Sequence, residues 1–235
     1  MQGYCNILQS MKVYVGDTRD KKIIKHCQEH GWGRMVCEDR PFKPFEEEQW
    51  ALDNGAFVAW TDQKPWNPDP FLRWVDRARN YNVHGIPGCS LAVLPDIVAG
   101  GRESLDFSMA WLDRLPPDLP WYLAVQDGMQ TQPLWGHVIL ALRDERIKGI
   151  FVGGSNPFKL TAGQWVVTAG IIPDREKLLV HYGRAGTPKK AQHALRVGVD
   201  SLDSNLPLWD RNRLAFFTKV VQGQHPQMEL GDEWT

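Results

Sequence analysis

The sequence predicts an α/β fold, a single small (β/α)8 TIM-type barrel, on three observations. Short apolar runs recur eight times along 235 residues. Several are near-continuous rather than alternating, as strands buried on both faces are. Between most of them lie apolar residues at helical spacing. Strand–helix alternation builds a parallel sheet, and about eight such units close it into a barrel.

In chain order, the runs are 12–15, 34–37, 50–52, 90–94, 121–125, 150–152, 178–181 and 199–202. After Pro70, residues Phe71, Leu72, Trp74, Val75 and Ala78 share one helical face. Residues 105–115, 134–142, 162–169 and 191–197 follow the same spacing. Thr187-Pro188 reads as a helix cap with proline in the first turn. The stretch 38–49 is rich in Pro, Phe and Glu, and reads as an irregular excursion rather than a helix. With no repeat or low-complexity linker, one domain is expected over 11–222. Residues 1–10 are expected to be an N-terminal tail and 223–235 a C-terminal tail.

Bulk composition narrows the class. The chain is 43% hydrophobic and 23% charged with net charge −1, which excludes a disordered chain. Near-neutrality argues against a generic nucleic-acid coat and leaves a local basic patch open. No apolar run is long enough to span a bilayer, and no signal-peptide pattern opens the chain. Cys5, Cys27, Cys37 and Cys89 include no Cys-x-x-Cys pair. Neither a disulfide framework nor a zinc knuckle is expected, and a cytoplasmic location fits.

A barrel enzyme works at the C-terminal ends of its strands. Those ends read Asp53-Asn54-Gly55, Pro95-Asp96, Gln126-Asp127-Gly128, Gly153-Gly154-Ser155, His181-Tyr182-Gly183-Arg184 and Asp203-Ser204. Acids, amides and glycines thus gather on one rim, where they suit a flat ligand with donors and acceptors. Most of these residues also have plainer readings. Gly153-Gly154 is equally a turn, and Gly183-x-x-Gly186 either binds phosphate or turns the chain. Asp96 reads as a cap or as a ligand contact, and His181 as a satisfied core histidine. Lys189-Lys190 reads as a phosphate contact or as a solvated helix face. Trp60 and Trp209 read as packing or as walls of a base pocket. Asp200, three residues before Asp203, reads as structural.

In this order the motifs resemble those of the guanine transglycosylases, which exchange guanine in a nucleic acid for a 7-deazaguanine. The tRNA enzymes carry Asp-Ser-Gly-Gly-Phe where this chain has Asp53-Asn54-Gly55-Ala56-Phe57, and Val-Gln-Gly-Gly where it has Val125-Gln126-Asp127-Gly128. Their Gly-Gly-Leu is similar to Gly153-Gly154-Ser155. Their Gly-x-Gly-Thr-Pro, helix, Gly-x-Asp-x-Phe-Asp is similar to Gly183 through Pro188 and then Gly198 through Asp203. The resemblance covers roughly residues 12–213. The DNA-guanine transglycosylases of phages and bacteria look closer at 51–57, 95–101, 124–128, 151–154 and 200–204. The chain departs from the tRNA enzymes in three places. No cysteine follows Cys89, so no zinc site is expected. Where the tRNA enzymes place the acid that reads the guanine edge, the aligned region here is Gly100-Gly101-Arg102-Glu103, leaving Asp96 or Glu103 for that role. The loop after Asp203 reads Pro207-Leu208-Trp209-Asp210-Arg211-Asn212-Arg213.

The resemblance implies an enzyme that replaces guanine in DNA with a 7-deazaguanine such as preQ0, protecting phage DNA from restriction in the host cytoplasm. Asp203 would be the nucleophile and Asp53 the acid and base. Asn54, Asp96, Gln126, Asp127, Gly153, Gly154 and Tyr182 would bind the base. Arg184, Lys189, Lys190, Arg211 and Arg213 would meet the DNA backbone. No cofactor and no metal is implied. The partners would be flipped or single-stranded DNA, the free deazaguanine and a possible helper protein. Transglycosylation on tRNA, and hydrolysis by a nucleosidase or N-glycosidase with the same acids, are the alternatives. A catalytically silent nucleic-acid-binding barrel is a third, against which the presence of both acids argues.

Overall fold

Eight strands pair in chain order, each parallel to the next, and the eighth closes on the first. The computed structural model describes residues 11–37, 41–170 and 176–224. The strands are β1 Lys12–Gly16, β2 Gly33–Val36, β3 Trp50–Leu52, β4 Cys89–Val93, β5 Trp121–Val125, β6 Ile147–Val152, β7 Leu179–Tyr182 and β8 Ser201–Ser204. Around them run α1 Lys21–His30, α2 Ala56–Thr61, α3 Pro68–Val83, α4 Arg102–Leu112, α5 Leu134–Ala141, α6 Asn156–Ala169, α7 Pro188–Val197 and α8 Arg211–Val221. The chain is a small (β/α)8 TIM-type barrel, as its alternation predicts. No helix among the described residues is long and apolar enough to cross a membrane. The expected N-terminal tail, 1–10, lies outside the described residues, as does the expected C-terminal tail, 223–235, beyond Gln224.

Local chemistry sets the helix starts. Asp20, Ser155, Thr187 and Asp210 each accept a backbone N–H from the first turn of α1, α6, α7 and α8, which satisfies donors a helix leaves open. Pro188 fills the first position of α7, as read from sequence. The last strand differs from expectation. Val199 still donates to Ala194 O at 3.3 Å, closing off α7, so β8 begins two residues later, at Ser201. Asp203 therefore lies within the strand, under its rim.

Two apolar layers form. Side chains alternate across each strand. One set, Tyr14, Met35, Ala51, Leu91, Val93, Tyr122, Ala124 and Phe151, fills the barrel. The other packs the strands against the helices, with Trp50, Trp74 and Trp121 fully buried. Gly149 makes room inside: a Cβ there would collide with the Tyr122 ring and the Leu179 carbonyl.

The excursion between β2 and β3 has no helix in its described part, 41–49. A buried ion pair holds it instead. Arg34 on β2 grips Glu48 through Nε at 2.8 Å and Nη2 at 2.8 Å. Glu48 also accepts the backbone N–H of Arg34 and of Phe45, while Arg34 donates to Thr18 O and Lys43 O. The pair aligns the chain entering β3. Breaking a buried pair from one side leaves an uncompensated charge. Glu48→Ala is therefore expected to cost roughly 3–5 kcal/mol in urea unfolding, whereas Lys25→Ala, which opens an exposed pair with Glu29, costs less than about 1 kcal/mol.

Candidate active site

Asp203 sits in β8 with 9% of its surface exposed. Its strand pairs with β7 so that His181 lies beside Ser201. Ser201, Asp203 and His181 all face the barrel interior by strand alternation. His181 Nε2 lies 3.0 Å from Asp203 Oδ1, and its Nδ1 lies 2.8 Å from Ser201 Oγ. An ionised carboxylate only accepts, so Nε2 carries the proton it donates. The imidazole stacks on Phe151, centroids 5.1 Å apart and planes 19° from parallel. The Arg184 N–H gives Asp203 Oδ1 a second bond at 2.8 Å. Arg184 holds a left-handed backbone, φ 53°, which turns that N–H onto the carboxylate. Burial pushes the Asp203 carboxyl up, but the bond and attraction of His181, the Arg184 N–H and the Lys159 charge outweigh it and leave it below its ordinary value.

Asp53 follows β3 on the interior side and accepts the Gly55 N–H at 3.3 Å. Burial first, then the Asp203 charge, push its carboxyl up to about 6; the Gly55 N–H opposes this, Asp96 adds to it and Arg184 opposes it. Two acids with unlike donors thus differ in proton affinity: Asp203 ionises below the ordinary range, while Asp53 keeps its proton up to a pH of about 6. Such a pair can serve as nucleophile and proton donor at one carbon.

No family model and no curated protein matches this chain.

Asp96 lies beside the acids, with burial raising its carboxyl against the bonds of Asn54 and Gln126 and the Arg184 charge. Asn54 and Gln126, expected on a base edge, have their side-chain amides committed to the scaffold. Asn54 Nδ2 donates to Leu94 O at 2.6 Å and to Asp96 Oδ1 at 2.8 Å, and its Oδ1 accepts the Ala56 N–H. Gln126 Nε2 reaches Ser104 Oγ, Ile97 O and Asp96 Oδ2, and its Oε1 accepts the Ala99 N–H. Both brace Asp96 and the loop after β4. Asp127 accepts from the Ser155 N–H and hydroxyl, which fixes the Gly153-Gly154 turn. A Cβ on Gly154, φ 78°, would strike that carboxylate.

Tyr182, expected to bind the base, lies elsewhere. Strand alternation turns it away from its neighbour His181 into the layer between barrel and helices, where it is fully buried beside His193 of α7. It does not line the mouth. Arg184, expected to meet the nucleic-acid backbone, lies among the acids. Its guanidinium lies 3.3 Å from the centroid of Phe57 and interacts with Asp203, Asp53 and Asp96, so its charge serves the mouth. Lys189 and Arg211 are exposed on the strand-end side, Lys190 and Arg213 half-buried. Arg213 stacks on the exposed Trp209 at 4.5 Å. Asp200 binds Lys177 and the Val180 N–H at the other end of β8, a structural role as expected. His181 was readable only as a core histidine, because its partners lie 20 and 22 residues away. Ser201-x-Asp203, two polar residues on one strand face, is the signal that points to it.

The raised Asp53 carboxyl couples folding to pH. The folded chain binds this proton more tightly than the unfolded one, so stability from Asp53 is present below 3.8 and lost as pH rises through about 6. Asp53→Asn removes the ionisation and keeps the acceptor for Gly55. Thermal melts of the variant should lie a few degrees above the parent at pH 8 and match it near pH 4.

Proposed function

We propose that this chain is a base-exchanging transglycosylase that replaces guanine in DNA with a 7-deazaguanine through a covalent aspartyl-sugar intermediate. The observation that carries the proposal is the unequal acid pair: Asp203 held ionised by His181 and the Arg184 N–H, Asp53 raised to about 6 beside it. In the forward half, an Asp203 oxygen forms a bond to C1′ as the C1′–N bond breaks. The electron pair leaves with guanine, which takes the Asp53 proton. In the return half, ionised Asp53 removes a proton from the incoming base. That nitrogen forms the new bond to C1′, and the Asp203 carboxylate leaves. His181 keeps Asp203 aimed at the mouth.

Lys189, Lys190, Arg211 and Arg213 follow β7 and β8, on the side where the strands end. They suit the phosphate contacts of a strand whose target base is unpaired or flipped. A cytoplasmic enzyme of DNA modification, with the free deazaguanine as second substrate, is the setting this reading implies.

Incubating DNA or tRNA with isotopically labelled 7-deazaguanine, then analysing nucleosides by mass spectrometry, tests the proposal. Label is expected in DNA. Label in tRNA alone would move the activity to that substrate, and guanine release without incorporation would make the chain a hydrolase. Asp203→Asn should reduce exchange to background and abolish the protein–DNA adduct while near-UV circular dichroism stays native. Single-turnover guanine release should fall as pH rises through about 6, when Asp53 loses its proton. In Asp53→Asn that limb should vanish along with most of the rate.

A further inference from the structure

Lys159 lies behind the acid mouth rather than in it. It is the fourth residue of α6 and 2% exposed. Its Nζ donates to the Gly183 carbonyl oxygen at 2.6 Å. The nitrogen of that same peptide group belongs to Arg184, and its N–H donates to Asp203 Oδ1 at 2.8 Å. One planar amide therefore carries a lysine on its oxygen side and the carboxylate on its nitrogen side. A cation on a carbonyl oxygen draws electron density from the amide nitrogen and makes its N–H a stronger donor.

We infer that Lys159 acts through the Gly183–Arg184 peptide to keep the Asp203 carboxylate ionised and fixed in direction. It is a positioning residue and touches no substrate. Burying an ammonium is costly, and a methionine would fill similar space without that cost. The charge is thus placed where the fold itself gains least from it.

The groups facing Lys159 come from several elements. Arg184 after β7 and Lys190 of α7 repel it, whereas Asp203 of β8 and Asp127 after β5 attract it. Burial first, then Arg184, lower its ammonium to about 7. The Tyr182 ring lies 5.9 Å from Nζ, and His193 of α7 contacts the Lys159 backbone. Lys159 is charged below about 7 and Asp53 holds its proton below about 6. The relay is therefore strongest in the range where the two acids differ in state. The bearing of Lys159 on catalysis rests on the base-exchange reading. Its effect on Asp203 does not.

Aspartate-selective 13Cγ labelling, with the Asp203 signal assigned by its loss in Asp203→Asn, reads the carboxyl titration directly. In Lys159→Met the Asp203 midpoint should rise by about one pH unit, a tenfold change in proton affinity. Lys159→Arg, which retains the charge, should hold it near the parent value. An unmoved midpoint in folded Lys159→Met overturns the inference. Should that variant not fold, the unsubstituted protein decides: the Arg184 amide shift should titrate with the Lys159 13Cε midpoint, and an amide that does not follow it overturns the relay. Base exchange measured on the same samples separates the two proposals. A shifted Asp203 in a protein whose parent exchanges no base sinks the transglycosylase reading and leaves the relay standing.

Discussion

A carboxylate taken out of water must be matched by donors, and Asp203, inside the last strand of a closed barrel, is where that requirement is sharpest. Its donors come from the neighbouring strand and the loop that follows it: His181 Nε2 and the Arg184 N–H. They meet it only because β7 and β8 pair with His181 beside Ser201. A slip of one residue would turn Asp203 into the helix layer and bring Leu202 to the mouth. The register is held from below by Asp200, which ties the start of β8 to the Val180 N–H. The two acids that stand three residues apart in sequence thus do different work at opposite ends of one strand.

The same burial that Asp203 survives through its donors outweighs the weaker opposition it meets at Asp53. That carboxyl accepts the Gly55 N–H and has a charged neighbour of its own sign. The difference in donors sets the two acids apart without any difference in residue type. Arg184 links them. Its left-handed backbone puts its N–H on Asp203, and its guanidinium lies over Phe57 beside Asp53 and Asp96. A strained backbone at a non-glycine residue persists where its surroundings over-determine it, and here both ends of the residue are held.

Support for the acids extends outward through ordinary scaffold contacts. Asn54 and Gln126 hold Asp96 and brace the loop after β4. The Arg34–Glu48 pair fixes the irregular chain that enters β3, and with it the approach to Asp53. These polar groups are satisfied almost entirely by protein, as buried networks must be. They explain why the Asn54 and Gln126 amides, expected to meet a ligand, are occupied before one arrives.

By itself the sequence determined the barrel, the placement of acids and glycines at strand ends, the cap at Thr187 and the structural role of Asp200. These follow from periodicity and from chemistry between near neighbours. Tertiary structure alone decided the inward turn of His181 and the outward turn of Tyr182, because a single residue of register reverses both. It also decided that Lys159 stands behind Asp203, through a contact between residues 24 apart in sequence. No pattern around Phe158-Lys159-Leu160 marks that lysine. The unequal ionisation of Asp53 and Asp203 was likewise invisible in a sequence that shows two aspartates. Burial and donors set a carboxyl's proton affinity, and both exist only once the barrel has closed.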